Sequence, residues 1–123
     1  MIGPHEGKEL ELMLLGEKPM AIFHDYVPDS GEIEEYIVPE KAFAPYVMQG
    51  RFVRFEREFL SLKNGSLIRY VCFTQPSETW RAEFFLWLKS EFYSAHIKHD
   101  VSHDILVGKL LGYSDEDISD FTG

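Results

Sequence analysis

Two runs rich in β-branched and aromatic residues, 52–60 and 67–75, are joined through Asn64-Gly65, and that dipeptide dictates much of what can follow. Both central positions of a two-residue type I′ turn need positive φ, and Asn-Gly takes them at low cost. The pair predicts a long antiparallel hairpin over residues 52–75. A two-residue turn would set Arg57 opposite Cys72 and Glu58 diagonal to Arg69. One face would then carry Val53, Phe55, Phe59, Ile68, Tyr70 and Cys72, and the other Arg54, Glu56, Glu58 and Arg69. That alternation predicts one packed face and one wet face.

The flanking segments suggest what covers the hairpin. Leu10, Met13 and Leu14 recur at helical spacing before Gly16, and Pro19 to His24 reads as a short buried strand. From Pro39 to Met48 we expect one or two irregular helical turns, interrupted by Pro45 and ended at Gly50. After Pro76, Ser77 is placed to cap a long helix over 78–98. Trp80, Phe84, Trp87, Leu88, Phe92 and Ala95 form its broad stripe, with Leu86, Tyr93 and Ile97 nearly opposite. A helix apolar over most of its circumference is either central to the fold or shared with another chain, so a homodimer is a candidate assembly. Asp100 or Ser102 can cap a further helix that runs to Leu111 and stops at Gly112. The expected fold class is therefore α+β: a short antiparallel sheet centred on the 52–75 hairpin, covered by the 78–98 helix and small C-terminal helices.

The 123 residues suit a single domain over 1–123, and 45% hydrophobic with 27% charged residues is globular composition. No apolar run reaches the length of a membrane helix, and residues 1–6 lack the basic-then-apolar order of a secretory leader. A lone cysteine excludes an internal disulfide and suits a reducing compartment, so the expected location is cytoplasmic. Cys72 itself reads as a small core residue. The formal net charge is −9, and the first fifty residues carry ten acids against three bases. Such a field disfavours nucleic acid and anionic lipid and attracts basic surfaces.

Potential chemistry is concentrated in one place. His96, His99 and His103, three of the five histidines, fall within eight residues and are interleaved with Asp100 and Asp104. On a continuous helix the imidazoles share a face while both carboxylates point away. A break near 99–102 would instead let Asp100 or Asp104 fold back to orient a histidine or to join it as a ligand. The candidate metal set is His96, His99, His103 and Asp100, and its imidazole–carboxylate chemistry suits a divalent transition metal. Arg57, set on an apolar hairpin face, is a candidate anion-binding residue.

No phosphate loop, dinucleotide fingerprint or nucleophile elbow is present in the sequence. Two functional expectations remain. The first is an acidic interaction protein of inhibitor, immunity or adaptor type, presenting Glu32, Glu34 and Glu35 to a basic protein partner. The second is a small metal-dependent or acid–base enzyme built on the cluster at 96–104.

Overall fold

A computed structural model describes residues 5–122, so residues 1–4, read above for a leader, lie outside it. Strands β1 (Met20–Tyr26), β2 (Val53–Leu60) and β3 (Leu67–Thr74) form an antiparallel sheet in the order β1-β3-β2. Helices α1 (Glu9–Leu14) and α2 (Glu40–Met48) precede the hairpin, and α3 (Thr79–Tyr93), α4 (Val101–Leu110) and α5 (Asp115–Thr122) follow it. The class is α+β, with the Pro19–His24 run adding the third strand.

The hairpin forms, but with a different turn and register. Asn64 keeps a negative φ and Gly65 alone is left-handed, at φ +69°. Ser61 N–H donates to Ser66 C=O at 2.8 Å, Gly65 N–H to Ser61 C=O at 3.0 Å, and Ser66 N–H to Asn64 Oδ1 at 2.9 Å. A wider loop therefore replaces the expected two-residue turn, because the Asn64 side chain satisfies the backbone locally. Pairing moves by two residues, which preserves every facing. Arg57 now lies opposite Tyr70 instead of Cys72, and Glu58 lies directly opposite Arg69, 2.7 Å away.

The expectation of one wet face also needs correction. Met20, Phe59, Ile68, Tyr70 and Cys72 pack against Ala82, Phe85 and Leu86 of α3 and Leu110 of α4. The opposite face buries Ala21, Val71 and Phe73 against Met13 of α1, Val38, Phe43 of α2 and Phe52. Asp25, Arg54, Glu56, Glu58 and Arg69 keep the rest of that face polar. The Phe43 and Phe73 rings stack at 4.1 Å, and each fully buried Phe contributes about 2–3 kcal/mol relative to exposure. Arg54 ties α2 to β2 through paired contacts with Glu40 at 2.5 and 2.9 Å.

Three helical expectations change. Pro45 lies inside α2 without stopping it, since it is exposed and the carbonyl it leaves without a donor can meet water. A 3-10 turn, Pro76–Glu78, leads into α3 with no side-chain cap from Ser77. The face α3 buries carries Ala82, Phe85, Leu86, Leu88 and Lys89, whereas Trp80 and Trp87 are each 52% exposed and Phe84 38%. The aromatic stripe expected to pack thus points outward. Nearly all-round apolarity gave the helical period no means of choosing a face.

The far end of α4 is fixed by Lys18 and Gly112. Lys18 is 1% exposed; its ammonium donates to Leu111 C=O at 3.0 Å and meets His5 Nδ1 at 2.9 Å. A cation is favoured at the negative end of a helix, although burial lowers the Lys18 pKa to about 8. Gly112, at φ +82°, closes the helix where a Cβ would stand 2.4 Å from Pro19 Cδ. Gly65→Ala meets no neighbour and is expected to cost about 1 kcal/mol of backbone strain. Gly112→Ala adds a steric clash and is expected to cost about 3 kcal/mol. Urea denaturation of both variants checks the difference, and equal losses would contradict the close packing of α4 on Pro19.

Candidate functional site

Helix α3 ends before the histidine cluster. Ala95 takes a left-handed φ of +62°, Ala95 N–H donates to Phe92 C=O, and His96 N–H donates to Glu91 C=O. This is a Schellman stop made with Ala where Gly is usual. Asp100 then caps α4, its Oδ1 accepting from His103 N–H at 3.1 Å. A break is therefore present and the continuous helix is not, but it falls over residues 94–100, earlier than the 99–102 expected, and α3 ends at Tyr93 instead of running to 98.

The cap places side chains in register. His99 precedes the capping residue and Asp104 is the fourth residue of the helix, positions where an apolar pair often clamps a helix start. Here the clamp is polar: His99 Nε2 meets Asp104 Oδ1 at 2.5 Å. His103 stands on the first turn, its ring centroid 4.4 Å from that of His99 and its Nδ1 3.8 Å from Asp104 Oδ1. It is 6% exposed, and neither ring nitrogen has a hydrogen-bond partner. Burial, with Lys89 and His99 adding to it, lowers the His103 pKa to about 4, so the ring is neutral at pH 7. One ligand atom from each of His99, His103 and Asp104 fits within a 4.8 Å span.

These three residues edge a cavity of about 530 Å³ between the sheet, α3 and α4. Ile22, Phe85, Phe92 and Val107 supply much of its apolar wall. Lys89, 8% exposed, projects into it with Nζ between 5.3 and 5.7 Å from the ring centroids of Tyr70, Phe85 and Phe92. Burial lowers the Lys89 pKa to about 8, and Asp104 opposes that shift. Tyr70 and Tyr93 share a hydroxyl contact of 2.9 Å, and His24 stacks on Tyr70 with centroids 4.7 Å apart. A larger hollow of about 770 Å³ lies between α1, β1 and α2, lined by Glu6, Glu9, Glu11 and Glu35. His24 and Tyr113 share that lining with the carboxylates, and among the described residues it holds no buried unsatisfied side-chain group.

The sequence-predicted residues separate into two groups. His99 and His103 come together, with Asp104 as their carboxylate. His96 turns away to Glu91, 2.7 Å from its carboxylate, and Asp100 serves as the cap. Arg57 is exposed over Phe59 and does not line the cavity. Burial pushes the Cys72 thiol up to about 12, which suits a core residue. Glu32, Glu34 and Glu35 are all exposed, and Glu35 also accepts from Lys41 N–H at 2.9 Å and Ala42 N–H at 3.1 Å at the start of α2.

Lys89 and its aromatic surround were missed in the sequence. The available signal was a lone cation four residues after Phe85 and three before Phe92, on the buried side of α3. Because Ala95 holds the stop that frees the cluster, Ala95→Gly is expected to stabilise the fold by about 0.5–1 kcal/mol. A higher urea midpoint at unchanged slope checks this, and a lower midpoint would contradict the left-handed stop. No family model, curated protein or solved structure matches the chain.

Proposed function

We propose that the protein is a small metal-dependent enzyme whose centre is His99, His103 and Asp104 and whose substrate occupies the adjoining cavity. The observation that carries this reading is the pair of buried ring nitrogens on His103 without a hydrogen-bond partner, beside an exposed His99 and a half-buried Asp104. Leaving a buried polar group unsatisfied costs about 1–3 kcal/mol, and a bound ion would remove part of that cost. Two neutral imidazoles and one carboxylate suit zinc or another first-row divalent ion and leave positions open for water and substrate. Ligands about 2.1 Å from a tetrahedral ion stand roughly 3.4 Å apart, so the 2.5 Å contact between His99 and Asp104 must open while both turn toward His103. Both side chains reach solvent, which allows that movement. An ion held there would activate its bound water toward a substrate in the cavity.

Calorimetric titration of chelator-stripped protein with Zn²⁺ and Co²⁺ tests the centre. One ion per chain is expected, weakened roughly ten- to hundredfold in His99→Ala and in Asp104→Asn. His96→Ala and Asp100→Asn should bind as wild type, because His96 points elsewhere and Asn still caps α4. Absence of binding, or binding indifferent to His99→Ala and Asp104→Asn, removes the reading.

An acidic docking surface is a second proposal, supported by a cleft of about 480 Å³ along which Glu32 and Glu34 stand exposed. Glu35 lines the same cleft and is exposed, while its carboxylate also accepts from the first turn of α2. Glu32→Lys with Glu34→Lys should slow association with polylysine severalfold at low salt while leaving the fold intact. Unchanged kinetics would dismiss it.

A further inference from the structure

We propose that the cavity takes a small carboxylic acid with an apolar body, its carboxylate on the Lys89 ammonium and its body against Ile22, Phe85, Phe92 and Val107. The inference rests on the same cavity as the proposed function but does not require the metal.

The first argument is charge. The chain carries −9. Within the cavity lining, however, Lys63 and Lys89 face a single carboxylate, Asp104, already engaged by His99. A strongly acidic protein has thus placed two lysines and one carboxylate along a single cavity.

The second argument is the state of Lys89. An ammonium has three donors and needs acceptors when withdrawn from water. Among the described residues Lys89 makes neither hydrogen bond nor ion pair; three aromatic rings surround it instead. Cation–π contact offsets part of the desolvation, yet the donors facing the cavity still lack an acceptor. A structural lysine elsewhere in this chain is treated differently: Lys18, equally withdrawn, is met by Leu111 C=O and His5 Nδ1. Lys89 is the one of the two whose acceptor has to come from outside.

Ligand class follows from the walls. A phosphate dianion calls for several convergent donors or an arginine fork, and the lining offers one enclosed ammonium and no arginine. A monocarboxylate needs less. Around Lys89 the surface is aromatic and aliphatic, which rewards an apolar body. A volume of about 530 Å³ lies in the range that encloses a small organic molecule.

Octanoate and 3-phenylpropanoate are the probes, each compared with its neutral primary amide by calorimetry on chelator-stripped protein. The acids are expected to bind roughly ten- to hundredfold more tightly than the amides, the usual value of a charge-assisted hydrogen bond. Lys89→Met retains the apolar stem and should abolish that preference while leaving amide affinity unchanged. Equal affinity for acid and amide, no binding of either, or an equal loss of both in Lys89→Met overturns the proposal. His99→Ala separates the two readings, because it should lose the ion and keep the preference for the acid. Ion binding without that preference leaves the metal centre standing and removes the ligand class; a Lys89-dependent preference without ion binding does the reverse.

Discussion

β3 has a neighbour on both edges and a packed layer on both faces, and the arrangement of everything else follows from that. Val71, Cys72, Phe73 and Thr74 are all at most 1% exposed. In a three-stranded sheet only the central strand can be so enclosed, and it is stable there only if apolar side chains point both ways. Leu67–Thr74 satisfies this, since Ile68, Tyr70 and Cys72 face α3 while Val71 and Phe73 face α2. Two helical layers are then obligatory, and the short connections before and after the hairpin supply one each.

The layer containing α3 and α4 cannot close completely. α3 stops at Tyr93 while α4 is held from both ends: Asp100 caps its start, and Lys18 with Gly112 fixes its finish against Pro19. Between those restraints the cavity lies along α4, with His103 on its first turn and Val107 one turn further among the lining residues. The site is thus a product of packing geometry, made where two well-anchored helices leave a gap over Tyr70.

How much of this the sequence disclosed depended on whether the controlling chemistry was local. Asn64-Gly65, the Asp100 cap and the Gly112 stop were legible because each rests on a few adjacent residues. The hairpin register was not, since Asn64 can satisfy the loop with its side chain and a two-residue shift leaves both facings unchanged. Nor was the end of α3: Ala95 is a strong helix former, and only the tertiary fold makes it take φ +62°. That one residue decided the candidate site, because the helical reading kept His96 with His99 and His103, whereas the stop sends it to Glu91. The buried face of α3 was equally hidden, as Trp80 and Trp87 looked as apolar as Phe85 and Leu86.

The cavity leaves two buried groups with complementary needs. His103 presents ring nitrogens with no partner, so a lone pair there is available to a cation. Lys89 presents an ammonium with no acceptor, which is available to an anion. Asp104 lies close enough to act on both, but it is a single carboxylate and His99 already holds it. A fold selected for stability alone would gain by replacing either group with an apolar side chain of similar volume, since unsatisfied buried polarity is costly and apolar packing is not. That both line one cavity, in a chain whose other withdrawn lysine meets two acceptors, is why we read the gap over Tyr70 as a site and not as a packing defect.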